Sequence, residues 1–171
     1  VVKYKGTEVG TNATGSGETT ITVEGVAYKL SGLTSSNPSR IDVVTVANAI
    51  SGTEVIKDAA GNVVTAQFTV TKTDGSLEIS KKDVTVSVAN AADVEYDGQE
   101  HTGVTTYTFS GMVEGENATI TYTPAKGTLP GTYTGSYGND FAAAKADGSD
   151  STGNYNLTTK TPGTLTITNR T

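Results

Sequence analysis

The chain repeats itself in a fixed order, and this constrains its fold more than any other feature. Thr73-Asp74-Gly75-Ser76-Leu77-Glu78-Ile79-Ser80 returns 88 positions later as Thr161-Pro162-Gly163-Thr164-Leu165-Thr166-Ile167-Thr168. Tyr4-Lys5-Gly6-Thr7-Glu8 returns 92 positions later as Tyr96-Asp97-Gly98-Gln99-Glu100. Between them, Tyr28-Lys29-Leu30-Ser31-Gly32 is matched to Tyr107-Thr108-Phe109-Ser110-Gly111. Landmarks that keep their order while their offset changes indicate tandem modules whose loops differ in length. Whatever the fold is, the chain must build it twice, each time from fewer than about 100 residues.

The local patterns are those of strands. Polar and apolar residues alternate through Thr20-Ile21-Thr22-Val23, Arg40 to Val46, Ala66 to Val70, Ala118 to Tyr122 and the closing Leu165 and Ile167. Period-two alternation of β-branched and aromatic residues places one face on a core and the other in water. Asp58-Ala59-Ala60-Gly61-Asn62, Thr73-Asp74-Gly75 and Leu129-Pro130-Gly131 supply turn chemistry between these runs. Only Asp140 to Asp147, with its alanines, reads as a helical turn. The expected class is all-β: two small Ig-like β-sandwich modules over residues 1–80 and 81–171, end to end, with a β-grasp-like module as the alternative topology. Val84-Thr85-Val86-Ser87-Val88 precedes the Tyr-Asp-Gly landmark of the second copy and has no counterpart in the first. The first module is therefore expected to lack its opening strand and to expose a sheet edge. Val1-Val2-Lys3-Tyr4 reads as the interior of a strand, so the chain is expected to be part of a longer protein, with any targeting signal outside it.

Composition narrows the chemistry. There is no Cys or Trp, and only one His and one Met, while about a fifth of the residues are Thr. Thiol nucleophiles, disulfide scaffolds and ordinary zinc sites are excluded by residue supply. A net charge of -6 without a basic cluster gives no footprint for nucleic acid. No apolar run approaches the ~18–20 residues of a membrane-spanning helix, so no membrane insertion is expected. His101 has no Ser–Asp or metal-ligating companion at a recognisable spacing, and Glu95, Glu100, Glu114 and Glu116 are assigned to loops and turns. No catalytic residue and no cofactor is expected.

The landmarks carry a resemblance. Tyr96-Asp97-Gly98, Asn154-Tyr155-Asn156-Leu157 and Gly163-Thr164-Leu165-Thr166-Ile167-Thr168 in the second copy resemble the MBG/YDG-type repeats of Gram-positive bacterial surface proteins. The first copy matches more loosely: Lys5 replaces the motif Asp, and Gln67-Phe68-Thr69-Val70 stands at the Asn-Tyr-Asn position. The resemblance implies an extracellular, cell-wall-associated repeat used in adhesion or as a stalk, monomeric, with host glycans or extracellular proteins as partners. The rival reading is a carbohydrate-binding module attached to a secreted enzyme.

Several residues are candidates for binding, metal ligation or crosslinking. Tyr122, Tyr133, Tyr137 and Tyr155, concentrated in the second copy, suit sugar stacking, although Tyr is also the natural core filler of a chain without Trp. Asp147 and Asp150 lie in an oxygen-rich loop that calcium favours, but the closing Glu of an EF-hand loop is missing. Surface modules of this kind sometimes join their first and last strands through a Lys–Asn isopeptide bond, and Lys82 and Asn169 share parity with the core residues of theirs. The Tyr-Asp-Gly motif itself is read as structural: an anchoring Tyr, a turning Asp, and a Gly at positive φ. The Asn-x-Thr triplets at Asn12, Asn117 and Asn156 are assigned no role.

Overall fold

The computed structural model describes residues 1–11 and 17–171; the Asn12 triplet lies outside them. Those residues form an all-β protein with two short 3-10 turns, Thr65–Gln67 and Thr152–Asn154, and no α-helix. They divide into two compact units. Val1–Val2 and Thr7–Ser80 make the first, and Lys3–Gly6 and Lys81–Thr171 the second. The repeat landmarks assign Lys3–Gly6 to the first copy, whereas packing makes it part of the second unit.

In the second unit, Lys82–Val88 is the central strand of a sheet. It pairs antiparallel with Tyr107–Ser110 and parallel with Tyr155–Thr161, with a register slip between Leu157 and Thr159. Thr164–Thr168 is central in another sheet, parallel to Val94–Glu95 and antiparallel to Gly131–Thr134. Alternation sets the faces: Val84, Val86, Val88, Leu165 and Ile167 are buried, while Ser87 and Thr168 face out. Ala125, Leu165 and Ile167 form one core cluster, packed by Ala91, Val94, Tyr96 and Tyr133.

In the first unit, Val26–Ser35 lies between Thr19–Val23 and Ile50–Lys57, all antiparallel. The hairpin between the first two closes through Glu24 and Gly25, both at positive φ, as a two-residue primed turn requires. Val44–Asn48 pairs antiparallel with Gly75–Ser80, matching Val46 to Leu77 and Val44 to Ile79. Val9, Ile56, Leu77 and Ile79 are its buried apolar residues.

Hydrogen bonds common to both units define their equivalence. The Ile56 amide donates to Thr65 Oγ1 at 2.9 Å, as that of Ala143 does to Thr152 Oγ1 at 2.9 Å. The amide of Asp58 donates to the Asn62 carbonyl and that of Lys145 to the Ser149 carbonyl. Leu30 faces Ile56 across its strand pair as Ala118 faces Ala143. Tyr28 is therefore the counterpart of Glu116, at the offset of the closing strand, and the match of Tyr28–Gly32 to Tyr107–Gly111 is replaced. That match rested on side-chain types alone, whereas cross-strand partners fix equivalence.

Two further expectations are corrected. The alanine run forms the strand Ala142–Ala144, paired with Asn117–Thr119, instead of a helical turn. Three alanines between turn residues cannot offset the cost of nucleating a helix, and a waiting strand partner satisfies their backbone. Ala66–Val70 is not a strand: Thr65–Gln67 is a 3-10 turn and residues 68–74 are irregular. Its counterpart Tyr155–Thr161 is a strand because it pairs with Lys82–Val88, a partner with no equivalent among the described residues of the first unit.

Leu165 is 1% exposed while its neighbour Thr166 points to the other face. Leu165→Ala should lower the stability of the second unit by about 2–5 kcal/mol, and Thr166→Ala by well under half of that. Urea unfolding followed by hydrogen exchange of the 164–168 amides checks this; equal effects would contradict the assigned faces.

Candidate functional site

The most elaborate side-chain cluster of the second unit surrounds Glu116, just ahead of the strand Asn117–Thr119. Its Oε1 accepts the Tyr4 hydroxyl at 2.5 Å, and its Oε2 accepts Ser151 Oγ and the Tyr155 hydroxyl, each at 2.8 Å. The Val113 amide donates to the Tyr155 oxygen at 3.1 Å. The Tyr4 and Tyr155 rings meet edge to face, with centroids 5.5 Å apart. Tyr4, Ser151 and Tyr155 are 1%, 2% and 3% exposed. Each element is local in origin. Ser151 precedes the 3-10 turn that aims it inward, Tyr155 opens the strand beside Lys82, and the Gly115 turn presents Glu116. Burial, together with the adjacent Glu116 carboxyl, pushes the Tyr155 hydroxyl up to about 12, although the Val113 amide opposes the shift.

Gly6 completes this clasp. It adopts φ +73°, and a Cβ there would lie 2.7 Å from Val113 Cγ1. An open pocket of about 280 Å³ lies alongside, with Lys145, Asp147 and Glu114 on its wall. No sequence motif flagged Glu116 as more than a loop residue. The signal was present but unpaired: its donors lie far away along the chain, and only folding brings them together.

The candidate tyrosines serve the unit internally. Tyr122 and Tyr137 face each other across their strand pair with ring centroids 4.8 Å apart. Tyr137 donates to the Thr161 carbonyl at 2.8 Å, Tyr122 accepts from the Gly163 amide at 3.0 Å, and Tyr133 donates to the Leu129 carbonyl at 2.9 Å. Burial raises the pKa of Tyr137, with the neighbouring Tyr122 adding to the effect. The Tyr133 ring covers Gly127 and the Tyr122 hydroxyl covers Gly135, where an added Cβ would lie 2.1 and 2.0 Å away. Tyr155 belongs to the clasp.

Asp147 and Asp150 turn the backbone. Asp147 Oδ1 accepts the Ser149 amide and hydroxyl at 2.9 and 2.6 Å, and Asp150 Oδ1 accepts those of Thr152 at 3.0 and 2.6 Å. These side-chain bonds, seconded by the backbone ones, hold both carboxyls below their ordinary range. No group of three or more His, Cys, Asp or Glu suited to a metal ion occurs among the described residues.

Lys82 and Asn169 are not brought together. Lys82 pairs with Tyr155 at the start of its strand, and seven residues on Ala89 abuts Gly163, where the closing strand begins. Asn169 follows the far end of that strand, beyond the pair of Glu95 with Thr168. The two residues sit at opposite ends of the unit because the strands run parallel. An isopeptide bond needs its nitrogen and carbon in contact, so this crosslink is withdrawn.

In the Tyr-Asp-Gly loop, Asp97 Oδ1 accepts the Gln99 amide and contacts His101 Nε2, both at 2.9 Å. Gly98 lies at φ +80° and Tyr96 packs on the Leu165–Ile167 cluster. Of the carboxylates, Glu100 pairs with Lys126 at 3.7 Å and Glu95 accepts the Thr171 amide at 3.0 Å. No helix is long and apolar enough to cross a membrane among the described residues. Comparison with models of known families, with curated proteins and with solved structures found nothing that matches the chain.

The clasp has a pH signature. The Tyr155 hydroxyl ionises at a higher pH folded than unfolded, so its stabilisation is complete below about 10 and is lost as pH rises through about 12. The loss is on the order of 2 kcal/mol. Tyr155→Phe should be less stable by about 1 kcal/mol at neutral pH and lack this part of the alkaline loss. Glu116→Gln, which leaves hydroxyls short of an acceptor, should lower stability by about 1–3 kcal/mol. Urea midpoints between pH 7 and 12 test all three; an identical alkaline limb in Tyr155→Phe would remove Tyr155 as its source.

Proposed function

We propose that this chain is a non-enzymatic repeat segment of a secreted bacterial cell-surface protein, serving as a load-bearing stalk. The observation that carries this reading is strand direction in the second unit. The opening strands Lys82–Val88 and Val94–Glu95 run parallel to the late strands Tyr155–Thr161 and Thr164–Thr168. Tension applied to the two ends of such a unit loads these parallel ladders in shear, so several hydrogen bonds must fail together instead of one by one. Resistance of this kind is set by the unfolding rate under force.

The first unit keeps much of the same plan, but no counterpart of the ladder between Lys82–Val88 and Tyr155–Thr161 occurs among the described residues. In this chain it should therefore yield first. In this reading its module and the second are Ig-like variants of one β-sandwich repeat, and the MBG/YDG resemblance gives the cell-wall context. Residues that recur in both copies perform turn and core work, which a module needs whatever its parent binds. The tyrosines argue against the carbohydrate-binding alternative, since Tyr122, Tyr133 and Tyr137 are half-buried with bonded hydroxyls, and the Tyr122 and Tyr137 rings are tilted to each other instead of forming a flat platform. Adhesion by the chain itself is assigned to weak contacts that gain strength through many copies.

Single-molecule pulling between the chain ends tests the stalk. Two unfolding events are expected. The one at higher force should release about 90 residues, roughly 300 Å of extended chain, and should weaken when Val86→Pro removes a ladder donor. A second unit that yields at the lower force would sink this reading. A multimerised chain bound saturably by a mucin glycan, a cell-wall polysaccharide or a matrix protein would make adhesion its primary role.

A further inference from the structure

We infer that the Tyr96-Asp97-Gly98 loop is a docking plug for a further copy of the module, whose Glu–Ser–Tyr clasp would take the Tyr96 hydroxyl as Glu116 takes that of Tyr4. The first support is equivalence. Glu95 to Gly98 and Lys3 to Gly6 occupy the same place in the repeat, and Gly98 and Gly6 share a left-handed backbone at φ +80° and +73°. Val94–Glu95 runs parallel to Ile167–Thr168, and the Tyr96 amide donates to the Thr168 carbonyl at 3.0 Å, so the loop is held rigidly at the end of the closing strand.

The second support is a contrast between the two loops. Tyr4 is 1% exposed and bonded to Glu116, while Tyr96 is half-buried and its hydroxyl has no hydrogen-bond partner among the described residues. A Cβ on Gly6 would collide with Val113 at 2.7 Å, whereas nothing lies within 4 Å of one on Gly98. The two loops have one shape, and the space filled by the clasp at Gly6 is open at Gly98.

The kind of copy is also specified. The first-unit counterparts of Glu116, Ser151 and Tyr155 are Tyr28, Val64 and Phe68, and Tyr28 and Phe68 pack as an apolar pair with ring centroids 4.9 Å apart. That set offers no carboxylate to a tyrosine hydroxyl. The plug therefore fits a module of the second kind, which orders copies along a chain. This concerns how modules join and holds whatever the parent protein binds.

The test adds a copy of residues 81–171 after Thr168 of the full chain, the position equivalent to Ser80. Hydrogen exchange is read at the added copy's equivalents of residues 113–116 and 155–161. With Tyr96 intact, both segments should be protected. Tyr96→Phe should speed exchange at the added 113–116 segment about tenfold, as expected for one lost hydrogen bond. The same substitution in the parent chain should leave its own 113–116 segment unchanged. Glu→Gln at the added copy's equivalent of Glu116 should match the effect of Tyr96→Phe, and the two together should add nothing. An added copy that fails to fold, or exchanges alike with Tyr and Phe at position 96, overturns the proposal.

Discussion

The parallel pairing of Lys82–Val88 with Tyr155–Thr161 is the constraint on which the second unit rests. It places Val84, Val86 and Val88 on the core and opens Tyr155 beside Lys82, which delivers its hydroxyl to Glu116. The first unit shows the dependence by omission. Phe68 to Asp74 occupies the same place in the repeat as the strand from Tyr155, yet it is irregular, with no strand paired to it among the described residues. A backbone segment becomes a strand when its donors and acceptors find a partner, and side-chain alternation alone does not provide one.

The two units solve one problem with different chemistry at the same positions. Where the second gathers three hydroxyls around one carboxyl, the first packs Tyr28 against Phe68. A half-buried carboxyl with its donors in place is specific: it accepts a tyrosine only within a narrow range of distance and angle. An aromatic pair is tolerant and asks for no hydroxyl. This difference gives the second unit a defined receptor for a tyrosine plug and leaves the first without one. Burial, seconded by the hydrogen bond to Glu116, keeps Tyr155 protonated above its ordinary range.

Tyrosine use follows from composition. A chain without Trp or Cys and with few Phe builds its aromatic packing from Tyr, and each ring brings a hydroxyl that must be satisfied when buried. Tyr122, Tyr133 and Tyr137 meet that demand with backbone partners and shield glycines whose missing side chains leave room for the rings. All three rings are half-buried, with one face of each side chain engaged by its own unit.

Much of the fold was legible beforehand. The repeat, the all-β class, the closing Leu-x-Ile strand and the turning roles of Asp97 and Gly98 follow from periodicity and local turn chemistry, which involve residues a few positions apart. The Ala142–Ala144 strand, the irregular 68–74 segment, the equivalence of Tyr28 with Glu116 and the separation of Lys82 from Asn169 did not. Each depends on which strand lies beside which, and direction and neighbourhood are not encoded in parity. The clasp shows the limit most clearly. Tyr4, Glu116, Ser151 and Tyr155 were all visible as single residues, but their meeting spans most of the chain, and only the tertiary structure brought three hydroxyls to one carboxyl.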